Sequence, residues 1–193
     1  MGVTTVDAES TGRQERILQA VIALLAERGI TGVSMRAVAA RAEVSLGLLS
    51  YHYADKVSLI SAALRRIEEQ DLALVEPDPT VSPERRLRAA LRLIAAPEYL
   101  TTAYLSLRLQ LWSLAAANPA YEQLNAEAQR RYRQGLAALI RAARPELGAA
   151  ESRRRAADID VLQNGLWLTT LLGLDRASIK RCVRRCEEIA LAD

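Results

Sequence analysis

Hydroxyl, aromatic and apolar side chains lie close together between Ser45 and His52, a stretch that reads SLGLLSYH. Hydroxyl and ring groups of this kind can contact phosphates, sugars and base edges, and apolar groups such as Leu46 and Leu48 can contact thymine methyl groups. On a short helix these groups would fit the major groove of DNA. The stretch therefore indicates recognition of double-stranded DNA rather than catalysis.

The other reactive side chains do not form a pattern that an enzyme requires. The chain has one His and two Cys, with no Gly-rich phosphate loop and no His–carboxylate spacing that would supply nucleophile, base and orienting group together. Cys182 and Cys186 are four apart on a predicted helix, too rigid for an easy disulfide, and no neighbouring His or Cys completes a metal site. We expect no catalysis, no metal and no cofactor, and we interpret the thiols as ordinary helix residues, with redox sensing as the alternative.

Two short helices with a tight turn are predicted over Val33–Lys56 to position these groups. Ser34 and Ser45 can each cap one helix through the hydroxyl oxygen. Leu49 and Tyr53, four apart, should point inward from the second helix. The apolar positions that share a face of the first helix are Met35, Val38, Ala39 and Ala42. The side chains that face outward from the second are Leu46, Leu48, Ser50, Tyr51 and His52.

A dense pattern runs through this stretch, made of Val44-Ser45, Gly47, Leu49, Tyr51-His52-Tyr53 and Asp55-Lys56. It resembles the signature of the TetR family of bacterial transcriptional regulators. The chain departs from the family at Glu43, usually Gly, at Tyr53, usually Phe, and at Leu46 or Leu48, where a small or polar residue is usual. A left-handed residue other than Gly costs on the order of 1 kcal/mol, so we expect a slightly different turn at Glu43.

This resemblance implies a homodimer whose two recognition helices enter successive major grooves of a palindromic operator. Lys56, at the start of the next helix, could reach a phosphate together with the first backbone N–H groups. The residues predicted to contact DNA are Ser34, Arg36, Ser45, Leu46, Gly47, Leu48, Ser50, Tyr51, His52 and Lys56.

A second, sparser pattern lies in the C-terminal half. It consists of Trp112 with Pro119 seven residues later, and of Asn164-Gly165-Leu166-Trp167-Leu168. It resembles the C-terminal domain of the choline-responsive, BetI-type branch of TetR regulators. The resemblance implies that this half binds a small-molecule effector.

Composition and chain breaks predict an all-α protein of two domains. Ala, Leu and Arg dominate, and strand-favouring runs are missing. A linker is expected at residues 76–80, EPDPT, because two prolines in three residues end a helix. We predict about nine helices: a three-helix helix-turn-helix DNA-binding domain over residues 11–71 (motif 34–53), and a C-terminal effector-binding and dimerisation domain over residues 81–193.

Charge and hydropathy give weaker indications. The net charge is only +3, and the first sixty residues carry equal numbers of acidic and basic side chains, so their placement must determine DNA binding. No apolar run approaches the roughly 18 residues of a membrane span, and the N-terminus does not resemble an export signal. We expect a cytoplasmic protein with no membrane partner.

Helices 1 and 6 have predicted bounds that the structure can test. Helix 1 is expected from about Thr11 to Arg28, with Gly29 as a left-handed stop. Helix 6 is expected to open at Pro97 and continue to Ala117. The face of helix 1 that should close the helix-turn-helix core comprises Ile17, Val21, Leu24 and Leu25.

The helix predicted from about Ala149 to Leu172 carries a broader apolar surface than one neighbour could cover. A second copy of the chain is the expected partner, through a four-helix bundle formed with the last helix. Leu166 and Leu171 are predicted to lie in this dimer interface.

Tyr104, Arg108 and Trp112 are spaced by four and should share one side of helix 6. Arg108 either reaches the surface or pairs with a carboxylate such as Glu98 or Glu122. Alternatively, Tyr104 and Trp112 line a pocket in which Arg108 is the single polar anchor, which would select an anionic or strongly polar ligand.

The BetI-type resemblance implies the opposite ligand charge. An aromatic cage built from Trp112 and Trp167 would bind a cation, and Arg108 would repel it. The sequence leaves both possibilities open.

We therefore predict a homodimeric transcriptional repressor that a small-molecule effector releases from its operator. The alternative is a DNA-binding dimer controlled by a protein partner or by thiol oxidation.

Overall fold

The computed structural model describes residues 5–76, 80–173 and 175–192. Over these ranges the chain forms nine α-helices and one short 3-10 turn, with no strand, which confirms the predicted all-α class. The helices are α1 Thr5–Gly32, α2 Met35–Arg41, α3 Leu46–His52, α4 Lys56–Ala73, α5 Pro83–Leu93, α6 Thr102–Ala117, α7 Pro119–Ala143, α8 Ala149–Leu171 and α9 Arg176–Leu191. None of these described helices combines the length and hydropathy needed to cross a membrane.

Short polar side chains begin several helices where the sequence predicts them. The hydroxyl oxygens of Ser34 and Ser45 each accept the backbone N–H three residues later, at 3.1 Å. The carboxylates of Asp55 and Asp175 accept the corresponding N–H groups at the starts of α4 and α9, at 2.7 and 2.9 Å. These bonds satisfy backbone donors that the helix itself leaves unpaired and so fix where each helix starts.

α1 is longer than predicted. It begins at Thr5 rather than near Thr11, and it ends at Gly32. Gly29 has a φ of 65° and a ψ of −171°, so it adopts the expected left-handed φ but kinks the helix instead of ending it.

The predicted helix 6 is divided, because Pro97–Leu100 forms a separate 3-10 turn before α6. The hydroxyl oxygen of Thr101 accepts the backbone N–H of Tyr104 at 3.2 Å, which starts α6 after the turn. Of the predicted linker, residues 77–79 lie outside the described part of the chain.

The chain divides into two compact units that do not follow chain order. The first unit comprises the described residues up to Ile67 together with Gln110–Leu124, and the second comprises Glu68–Leu109 and the described residues from Asn125 onward. The predicted domains, residues 11–71 and 81–193, are each one continuous segment and stay a prediction.

Each unit has its own apolar core. In the first, the predicted face of α1 is buried at Ile17, Val21, Leu24 and Leu25, and Leu49 of α3 is fully buried. In the second, α5, α7, α8 and α9 contribute the core, which includes Leu87, Leu91, Leu136, Ile140, Ile159 and Leu166.

The turn between α2 and α3 generates a stability prediction. Glu43 has a φ of 55°, the left-handed conformation that glycine adopts without strain. Replacing it with Gly should remove about 1–2 kcal/mol of strain and cost about 0.5–1 kcal/mol in unfolded-chain entropy. We expect Glu43→Gly to raise the free energy of unfolding by about 0.5–1 kcal/mol, measured by urea denaturation. Glu43→Ala is the matched control and should give no gain; an equal gain from both variants would argue against strain at this φ.

Candidate nucleic-acid interface and ligand site

In the first unit, α3 presents the outward face that the sequence predicts. Tyr51 is 84% exposed and packs edge-on against the ring of His52, with ring centroids 5.3 Å apart. Leu46, Gly47 and Ser50 are exposed and Leu48 is half-buried. On the opposite side Leu49 and Tyr53 are buried, as expected. The helix therefore has one side fixed in the core and the other free to enter a groove, while contact with DNA stays a prediction.

The hydroxyls of Ser34 and Ser45 serve first as helix caps. Each oxygen accepts a backbone N–H, which leaves its own O–H hydrogen available to donate to a phosphate oxygen. Arg36, on α2, is exposed. These groups could add phosphate contacts beside α3.

Lys56 has a structural partner that the sequence does not predict. Its Nζ donates a hydrogen bond to the backbone carbonyl of Ile30 at 2.7 Å, near the end of α1. Because an ammonium has three donors, the remaining two could still reach a phosphate, so this prediction stays open.

In the second unit, a buried ion pair joins α4 to α6. The guanidinium of Arg108 donates to the carboxylate of Asp71, and the hydroxyl of Tyr104 donates to the same carboxylate at 2.5 Å. Arg108 thus pairs with Asp71, a carboxylate that the sequence interpretation did not name. Because its charge is already balanced by a buried carboxylate, Arg108 is not the isolated anchor that the anionic alternative assumes.

Three aromatic rings surround this ion pair. Tyr99 lies 6.5 Å from Trp167 in a stacked arrangement, and Tyr104 lies edge-on to both rings at 5.3 and 5.8 Å, centroid to centroid. The guanidinium carbon of Arg108 lies 5.0 Å from the centroid of Trp167, within the range of a cation–π interaction. The indole N–H of Trp167 donates to the Ile94 carbonyl at 2.9 Å and holds the ring in place. We call Tyr99, Tyr104 and Trp167 the aromatic box.

Further buried polar groups lie on α7 and α8. The hydroxyl of Tyr132 donates to the side-chain oxygen of Gln163, and Asp160 accepts a hydrogen bond from Arg133 at 3.2 Å. Burial raises the pKa of the Asp71 and Asp160 carboxyls above the usual range, although their arginine partners oppose this. Buried titratable groups with shifted pKa values make this cluster the candidate binding site of the second unit.

Three of the four predicted ligand residues, Tyr104, Arg108 and Trp167, meet in the second unit. Trp112 is half-buried and is assigned to the first unit, and its role in ligand binding stays a prediction. The sequence interpretation missed Asp71, Tyr99 and the polar residues of α7 and α8. A usable signal existed for Asp71, because it follows Ile60, Leu64 and Ile67 at spacings of 4, 3 and 4 on the buried face of α4.

The predicted interface residue Leu166 requires correction. It is only 3% exposed and packs in the core of its own unit, so it is not available to a second copy. Leu171 is half-buried. The apolar side chains that α8 does expose are Val161, Leu168 and the residue that ends the helix, Leu172, at spacings of 7 and 4 along one side. We call these three the α8 stripe.

Comparison with known proteins confirms both family resemblances seen in the sequence. The family model "Bacterial regulatory proteins, tetR family" matches residues 17–63, and "BetI-type transcriptional repressor, C-terminal" matches residues 83–191. The HTH-type transcriptional regulator BetI of Paraburkholderia phymatum is 28% identical over 176 residues, which cover 89% of this chain and 88% of the relative. These relatives are transcriptional regulators, a class of proteins that are not enzymes.

Solved structures share the fold. A transcriptional regulator from Pseudomonas aeruginosa PAO1 has a TM-score of 0.79 at 24% identity, covering 93% of this chain and 89% of that one. A regulator from Saccharomonospora viridis, solved in complex with choline, has a TM-score of 0.71 at 22% identity, covering 95% and 97%.

The buried ion pair generates a prediction about stability. Asp71→Asn leaves Arg108 buried without its counter-charge, so we expect a loss of about 3–5 kcal/mol in the free energy of unfolding. The double variant Asp71→Asn/Arg108→Met, which removes both charges, should lose less than the sum of the two single variants. Urea denaturation followed by circular dichroism measures all four proteins. Costs that simply add would mean that the two charges do not stabilise each other.

Proposed function

The chain belongs to the TetR family of bacterial transcriptional regulators and is DNA-binding and of repressor type, and we propose that it acts as a homodimer which a small molecule releases from a palindromic operator. The observation that carries this proposal is the combination of an outward recognition face on α3 with a buried polar and aromatic cluster in the second unit. The exposed face of α3 could bind DNA, and the buried cluster could bind the effector. We expect the protein to act in the cytoplasm, where its operator is.

For DNA binding we assign residues 11–71 as the helix-turn-helix domain. Tyr51 and His52 would contact sugar-phosphate or base edges, and Leu46 and Leu48 would approach thymine methyl groups. Support comes from the exposure of this face and from the buried anchor Leu49, which holds α3 in one orientation.

For effector binding and dimerisation we assign residues 81–193, together with Asp71 from the end of α4. The aromatic box and the carboxylates of Asp71 and Asp160 could bind a small polar or cationic molecule. The choline bound by the S. viridis regulator supports a cation. A coupling of about 1–3 kcal/mol between effector and operator would change operator affinity about 5- to 150-fold.

The α8 stripe supports the dimer. Val161 is 71% exposed and Leu172 is 77% exposed, an apolar surface that a second copy of the chain could cover. Through a two-fold axis, the same stripe on both copies would meet in one interface.

Thiol oxidation is the second candidate for control, in place of a small ligand. Cys182 is partly exposed and Cys186 is buried, both on α9. Hydrogen bonding with the Cys186 thiol lowers the pKa of Cys182 to about 7, which favours the reactive thiolate near neutral pH. Release from the operator by peroxide in wild type, but not in Cys182→Ser, would favour this candidate.

DNA binding is tested with an operator selected from random duplexes by the purified protein. Tyr51→Ala should weaken binding to that operator at least tenfold without changing the thermal midpoint, because Tyr51 lies outside the core. Tyr51→Phe is the matched control and should lose less if the ring makes the main contact. Leu49→Ala should instead lower stability by about 2–5 kcal/mol. Full affinity in a folded Tyr51→Ala protein would contradict the assignment of this face.

Assembly is tested by placing charge on the α8 stripe. Leu172→Glu should shift the protein from dimer to monomer in analytical ultracentrifugation, because a buried unpaired carboxylate is costly. Ala138→Glu puts the same charge on an exposed apolar position of α7 and should leave the dimer intact. An unchanged dimer constant for Leu172→Glu would place the interface elsewhere.

A further inference from the structure

The aromatic box already contains a cation that belongs to the protein. The guanidinium of Arg108 lies over the Trp167 ring while it donates to Asp71, and Tyr104 contacts both the ring and the carboxylate. Aromatic faces combined with a buried carboxylate are the groups that recognise a quaternary ammonium ligand. In this chain the guanidinium of Arg108 contacts both kinds of group.

The buried charges in this cluster favour a cation over an anion. Asp71 and Asp160 are each at least 92% buried, and so is Arg108. Arg133, the partner of Asp160, is 44% exposed at its side chain and lies at the edge of the cluster. The carboxylate in contact with the box is that of Asp71, which Arg108 balances. A ligand that replaced the guanidinium would have to balance this carboxylate, which a cation does and an anion does not.

We propose that Arg108 is the resident cation of a binding site for quaternary ammonium ligands, and that a ligand enters the aromatic box only when the guanidinium leaves the Trp167 ring. Arg108 and the ligand would then compete for the Trp167 ring face and the Asp71 carboxylate. This inference rests on the proposed function to the extent that it names the effector class for the second unit. It assigns Arg108 as the residue that sets affinity and selectivity.

Competition of this kind has a measurable consequence. The apparent dissociation constant equals the intrinsic constant divided by the fraction of time that the site is open, so it rises as the guanidinium occupies the box for longer. Removing the guanidinium should therefore tighten binding of a quaternary ammonium ion, which is the reverse of what happens when a direct ligand-contacting residue is removed.

The test uses the purified protein without DNA. Choline and tetramethylammonium are titrated into wild type and into Arg108→Met, which keeps the length of the side chain and removes its charge. A Trp112→Phe background leaves Trp167 as the only tryptophan, so its fluorescence reports on the box. We expect both cations to bind Arg108→Met at least tenfold more tightly than wild type, to change Trp167 fluorescence, and to raise the thermal midpoint saturably.

Two control variants separate this mechanism from a general loss of positive charge. Arg154→Met removes an exposed guanidinium of α8 that pairs with Glu151 and Asp158, so it should gain no affinity. Asp71→Asn/Arg108→Met removes the carboxylate as well and should lose the gained affinity.

Arg108→Lys keeps the test available if Arg108→Met does not fold. It preserves a charge opposite Asp71 but loses the planar group that stacks on the indole, so it should bind choline several-fold more tightly than wild type. Equal or weaker binding of both cations by the folded Arg108 variants would overturn the inference. An equal gain in affinity from Arg154→Met would also overturn it. Because no DNA is present, either result leaves the proposed release from an operator standing, and failure to bind DNA would not affect this test.

Discussion

The buried ion pair between Asp71 and Arg108 is the interaction on which the polar interior of the second unit depends. Neither charge could remain buried alone, because the desolvation penalty of each is met only by the other and by hydrogen bonds. The carboxylate uses both oxygens, one for Arg108 and one for the Tyr104 hydroxyl. The flat guanidinium in turn lies over Trp167, whose indole N–H is fixed by Ile94. One pair of opposite charges thus orients two of the three rings of the aromatic box.

The first unit is built on a different constraint, that of fixing a seven-residue helix. α3 is too short to be stable alone and relies on its Ser45 cap and on burial of Leu49 and Tyr53. With one side held in this way, the exposed groups Tyr51 and His52 have a defined direction. The left-handed Glu43 keeps the turn short at a cost in strain, which shows that the α2–α3 geometry is maintained without glycine.

Local patterns in the sequence predicted much of this, and tertiary pairing accounts for what they missed. Residue spacing was sufficient to predict the Ser34 cap, the buried face of α1 and the two sides of α3, because each depends on residues three or four apart. The partner of Arg108 lies 37 residues away on another helix, and no spacing rule selects it over a nearer glutamate. Leu166 was misplaced because α8 is apolar on several sides, and periodicity cannot tell which side packs within its own chain.

The position of Asp71 on α4 also bears on regulation. α4 begins beside the Asp55 cap, directly after α3, and runs for 18 residues to Ala73. A ligand that exchanged with Arg108 would replace the partner of Asp71 near the C-terminal end of α4. The N-terminal end of the same helix directly follows α3. A buried ion pair is suited to this role. Breaking such a pair costs about 3–5 kcal/mol, which exceeds the coupling energy of about 1–3 kcal/mol between an effector site and an operator site.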